Sequence, residues 1–151
     1  MSKNEEKKTT VASALHQVLT GERIAIRAYN SSLNQVNDEK IKKLLTAFHD
    51  DHKLIIERIK SRMRSLDIDP KNTLGVVEVI DRAMMEVAGL VGLEPQDKEI
   101  IEKIYNNEAK GLQKIEAVDS KPLDATSKKL LKRIKTINSN NLEQLKDLLS
   151  E

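Results

Sequence analysis

The 151-residue chain has no cysteine and no tryptophan. Without thiols there are no disulfides, thiolate metal sites or cysteine nucleophiles. Two tyrosines and one phenylalanine make up the aromatic complement, too few for the stacking platforms that hold single-stranded nucleic acids. Neither sign of charge dominates: 26 Lys and Arg stand against 24 Asp and Glu. That balance argues against both a polybasic nucleic-acid surface and an acidic tail. No run approaches the ~20 apolar residues of a membrane span, and residues 1–8 are polar, unlike a secretory signal. There is no glycine-rich phosphate loop, strand alternation or nucleophile motif. The expectation is a single cytoplasmic domain with neither nucleic acid nor membrane as partner.

Helical periodicity fills the space these absences leave. Ile41, Leu45, Phe48, Ile55, Ile59 and Leu66 recur at steps of 3, 4 and 7, the buried seam of a helix. His52 takes the one slot in that seam where another apolar residue belongs. His49 lies one turn earlier, and i, i+3 side chains project alike, so both imidazoles are expected to reach one interior point. Upstream, Val11, Leu15, Val18, Glu22, Ala25, Tyr29 and Val36 form a bundle-type stripe broken by Glu22. Residues 1–8 read as a flexible, charged start before a single domain over 9–150, with Thr9 or Thr10 capping the first helix. The short link at Asn37-Asp38 forces the next helix to lie antiparallel, and that helix ends before Pro70. A shorter apolar helix is expected over 73–93, with Met84 and Met85 as core filler. Two more seams follow, Ile101, Ile104, Glu108, Gly111, Ile115 and Val118, then Leu131, Ile134, Asn138, Asn141, Leu145 and Leu148, with Asp124 or Thr126 capping the last helix.

The two halves echo each other. Leu15, Val18, Glu22, Ala25 and Tyr29 align with Ile101, Ile104, Glu108, Gly111 and Ile115. Leu45, His49, His52, Ile56 and Ile59 align with Ile134, Asn138, Asn141, Leu145 and Leu148. Each half is a helix pair with one seam glutamate and one polar i, i+3 pair. Two antiparallel pairs joined by a long crossover make a four-helix bundle with ferritin-type connections.

Thr20-Gly21-Glu22 with Tyr29, the second helix ending near Leu66, the short crossover helix, and Asn107-Glu108 with Leu112 and Ile115 resemble the ferritin-like superfamily. Within it, the chain is similar to the small bacterial branch of unassigned function. The resemblance covers residues 10–150. It implies an all-α, ferritin-like antiparallel four-helix bundle with a short crossover helix between the two pairs. In metal-binding members, a Glu on each first helix and a Glu-x-x-His on each second helix hold two metal ions. Position by position, Glu22 and Glu108 match the single glutamates and His52 the histidine. His49 stands where the motif wants Glu, and Asn138 and Asn141 replace the second Glu-x-x-His.

Two readings follow. In the first, Glu22, His49, His52 and Glu108 hold one divalent ion, iron, manganese or zinc, with Asn138, Asn141 and Tyr29 supporting the ligands by hydrogen bonds. A role in oxidative or starvation stress is what the resemblance implies for such a protein. In the second, no metal binds, the same residues form a polar layer that fixes helix register, and the chain is an interaction or oligomerisation module, for example a homodimer. With a non-standard iron site, the first reading extends to a weak oxidase or peroxidase; otherwise neither reading commits the chain to catalysis. His16, on the flank of the first helix, and the Lys128, Lys129, Lys132, Arg133 and Lys135 cluster read as solvated surface.

Overall fold

The computed structural model describes residues 2–71 and 97–150. The expected crossover helix over 73–93, with Met84 and Met85, lies outside the described residues. Four helices are described: α1 (Lys3–Leu33), α2 (Glu39–Ser65), α3 (Asp97–Asp119) and α4 (Ala125–Leu149). Among the described residues there is no strand.

Local chemistry sets the helix ends. α1 begins at Lys3, not near Thr10: the Ser2 hydroxyl accepts from the Glu5 N–H while the Glu5 carboxylate accepts from the Ser2 N–H. This reciprocal capping box satisfies two otherwise orphaned donors and corrects the expected cap. Thr9 and Thr10 instead donate to the carbonyls of Glu5 and Glu6 within the helix. Asp38 caps α2 through the N–H groups of Lys40 and Ile41, and Asp124 caps α4 through Ser127. α2 does not wait for Pro70 to end. Asp67 adopts a left-handed conformation (φ 57°), and the N–H groups of Ile68 and Asp67 return to the carbonyls of Met63 and Arg64. That is a Schellman ending, sealed by its apolar contact, since Ile68 and Met63 are both buried in one cluster.

Side-chain bonds between elements give the helix directions. Asp97, opening α3, accepts from the N–H groups of Asn37 and Asp38, each at 3.0 Å, so α3 starts beside the α1–α2 turn. At the other end, Arg62 near the close of α2 donates to Asp124 at the start of α4 (2.5 Å) and to Ser127 (3.2 Å). The chain thus leaves α2 at one end of the bundle and enters α3 at the other, the ferritin-type connection.

The core is layered along the bundle axis. One apolar cluster packs Val11, Leu15 and Val18 against Ile55, Ile59, Ile115 and Leu131. The other packs Tyr29 and Val36 against Leu45, Phe48, Ile101, Ile104 and Leu145. Between them lies a polar layer of Glu22, His52, Glu108, Asn138 and Asn141, each no more than 5% exposed. Every expected seam position that breaks the apolar pattern with a polar residue falls in this layer, His49 excepted. Leu54 is the one well-exposed large apolar side chain among the described residues, at 50%.

Candidate functional site: a buried carboxylate–imidazole–carboxylate triad

Glu22 comes from α1, His52 from α2 and Glu108 from α3. His52 Nδ1 meets Glu22 Oε2, and its Nε2 meets Glu108 Oε1 at 2.5 Å. With a carboxylate acceptor at each ring nitrogen, both nitrogens donate, which defines the imidazolium form. Burial pushes the imidazole towards neutrality, but the hydrogen bonds and charges of Glu108 and Glu22 overcome it and raise the pKa to about 10. Two carboxylates and one imidazolium leave this layer with one net negative charge.

Two neutral donors spread that charge. The Tyr29 hydroxyl donates to Glu108 Oε1 at 2.5 Å, and Asn138 Nδ2 donates to Glu22 Oε1 at 3.0 Å. The Tyr29 ring also lies 5.3 Å from the His52 ring, tilted by 33°. Burial first, then the Glu108 charge and hydrogen bond, push the phenol well above its ordinary pKa, so Tyr29 stays a donor. Hydrogen bonds to charged groups contribute about 1.5–3 kcal/mol. Tyr29→Phe, which keeps the ring, is therefore expected to lower unfolding free energy by about that amount in urea titrations; an unchanged midpoint would count against the bond.

The structure does not bring His49 to this point, which corrects the expectation that both imidazoles meet. Its side chain is 19% exposed, and its Nδ1 lies 3.1 Å from Asp50 on the same helix. The reason is local: on the α2 side, the two carboxylates are already taken by the two nitrogens of His52. The inter-half echo breaks at the same place, because the matching Asn138 does turn inward, short enough to reach Glu22. Asn138 Oδ1 and Asn141 Nδ2 are buried with no hydrogen-bond partner among the described residues.

Beside the triad, between α1 and α3, opens a cavity of about 650 Å³. Glu22, His52, Glu108, Tyr29 and Asn138 lie along it, with Gly21, Ala25, Ala28 and Gly111 on its walls and Lys110 and Lys114 among its exposed lining. His16, expected to be solvated, also lines it: its Nδ1 is buried with no partner among the described residues, and burial and then the Arg23 charge lower its pKa. Sequence reading missed this cavity because glycine and alanine in a helical stripe look like ordinary filler. It missed the Arg62–Asp124–Ser127 tie for another reason: such a pair is visible only once the topology joins the two ends.

A family model described as a domain of unknown function (DUF2383) matches residues 10–121. The chain belongs to this family. A solved two-domain protein from Anabaena variabilis, containing DJ-1/ThiJ/PfpI-like and ferritin-like domains, is similar in structure, with a TM-score of 0.76 and 16% identity. The match covers 95% of this chain and 36% of that one, so the present chain spans about a third of its length. No curated protein matches. The likeness shows the fold of this DUF2383 domain, an all-α ferritin-like four-helix bundle, and among its described residues no helix is long and apolar enough to cross a membrane.

The ferritin-like fold implies a metal, and the donor set of this DUF2383 domain can be tested against it. The described residues contain no group of three or more His, Asp or Glu arranged to hold an ion. The geometry explains why. Glu22 and Glu108 sit at opposite nitrogens of one imidazole, so a single ion could reach one nitrogen and one carboxylate but not all three groups. α4, which supplies Glu-x-x-His in a two-metal centre, offers only the amides of Asn138 and Asn141. A metal at His52 would also have to displace a proton held with a pKa of about 10. The residues present do not fit the two-metal group.

Proposed function

We propose that this protein is a metal-independent binding bundle, in which the His52 imidazolium takes the place of a metal between the two first-helix carboxylates. The observation that carries the reading is the engagement of both His52 nitrogens, one by Glu22 and one by Glu108. The triad then acts as a register-setting polar layer, a role best attested for buried polar groups in helical assemblies. Binding, in this reading, belongs to the α1–α3 cavity and not to an outer apolar face. Leu54 alone gives little for a second copy to cover among the described residues, whereas the cavity falls in the size range of small-ligand pockets, roughly 300–1,000 Å³.

The test is elemental analysis of tag-free protein, with thermal unfolding in the presence of added ferrous, manganous and zinc ions. We expect far less than one equivalent of metal per chain and no shift in Tm. A specific site at a free ion concentration of 100 Kd would add about 2.7 kcal/mol, or roughly 5–10 °C for a domain of this size. Stoichiometric metal, or a shift of that size abolished by Glu22→Ala with His52→Ala, would replace this reading with a metal-binding one.

A further inference from the structure

The geometry points to a ligand class for the cavity: a small amphipathic organic anion, a carboxylate on a flat apolar body. This deepens the binding-bundle reading and rests on it. Two independent features of the cavity select that chemistry.

Its walls are bare where side chains would fit. Gly21 and Gly111 sit in the middle of α1 and α3, where glycine weakens a helix relative to alanine. Close packing does not require them, since a Cβ built at either position meets nothing within 4 Å. With Ala25 and Ala28 they leave smooth faces between the helices, suited to a planar ring. Its rim is cationic. Lys110 and Lys114 lie one turn apart on α3, both exposed, and neither has an ion-pair partner among the described residues. Among the described residues the only carboxylates along the cavity, Glu22 and Glu108, are buried and engaged by His52.

These features also fix an orientation. The negative triad repels a carboxylate from the floor while the lysines attract it to the rim, so the apolar end enters first. Binding is non-covalent, with no bond made or broken.

The probe is 3-phenylpropanoate, followed by isothermal titration calorimetry with the full chain. One-to-one binding is expected. Replacing the carboxylate by an ammonium group, with 2-phenylethylamine, should weaken it by at least ~5-fold. Lys110→Gln with Lys114→Gln should cost ~5-fold and flatten the salt dependence, as for screened surface charges. Gly111→Leu should abolish binding while helicity and Tm stay at or above those of the parent, and Gly21→Met provides the same block from the opposite wall. No binding at millimolar probe, tighter binding of 2-phenylethylamine than of the acid, or full binding in both filled variants that remain folded would each overturn the proposal. The two readings fail separately: a metal-free protein that ignores the probe overturns only the ligand, whereas a stoichiometric metal overturns the reading beneath it.

Discussion

His52→Leu is expected to destabilise the protein by about 3–5 kcal/mol, the cost of breaking a buried ion pair by removing one partner. Leucine fills nearly the same volume, and volume-conserving core exchanges usually cost under about 1.5 kcal/mol. The excess would come from charge: Glu22 and Glu108 would remain 3% and 5% exposed with no cation between them. Against a total stability of roughly 5–15 kcal/mol for a domain, that loss moves a urea midpoint far enough to read easily. Replacing all three groups together, Glu22→Leu, His52→Leu and Glu108→Leu, should recover most of it, because a well-packed apolar substitute for a buried ion cluster is often neutral or stabilising. The three sites share partners, so their single costs are not additive. The triple variant is therefore the informative comparison. A single-variant loss below about 1 kcal/mol would mean that His52 is ordinary packing and that the triad does not hold the core.

The apolar part of this core is legible in the sequence because burial follows helical period. Leu15, Val18, Leu45, Phe48, Ile59, Ile104, Leu131 and Leu145 all appear at seam spacing and are all buried. The polar layer is legible for the same reason: Glu22, His52, Glu108, Asn138 and Asn141 are the exceptions in those seams. Pairing is where period stops being informative. His49 and His52 differ by one turn and share a face in outline, yet only contacts across helices decide which imidazole meets a carboxylate, and His52 uses up both. The α1 start was missed because Ser2 and Glu5 sit in a charged stretch with no apolar stripe behind it. The cap there rests on two local hydrogen bonds, which a search for apolar period passes over. The cavity was the least visible feature, since Gly21 and Gly111 gain meaning only from the space their missing Cβ atoms leave.

Raising the pH from 7 to 9 is expected to lower stability by about 2–3 kcal/mol, and the direction follows from which state holds the proton. In the folded protein His52 has a pKa of about 10, against an ordinary value of 6.5. Below pH 6.5 both folded and unfolded chains carry the proton, and the full stabilisation is present. Between pH 6.5 and 10 the unfolded chain has lost it and the folded chain keeps it, so stability falls by up to about 1.4 kcal/mol per pH unit. Beyond pH 10 the contribution is gone. The groups facing the imidazole are Glu22 and Tyr29 on α1 and Glu108 on α3, with Asn138 of α4 bonded to Glu22. The Tyr29 pKa is raised, so it begins to favour unfolding only once an unfolded tyrosine ionises, near pH 10. The His16 pKa is lowered, so its effect has the opposite sign and is confined to the acid side of its ordinary value. The interval from pH 7 to 9 therefore isolates His52. Urea midpoints across it should fall steadily in the parent and stay nearly level in His52→Leu. Because the triad is buried, the slope should hold in salt that screens surface pairs. A parent protein equally stable at pH 7 and pH 9 would show that His52 is not held as an imidazolium, which would remove the internal cation on which the metal-independent reading depends.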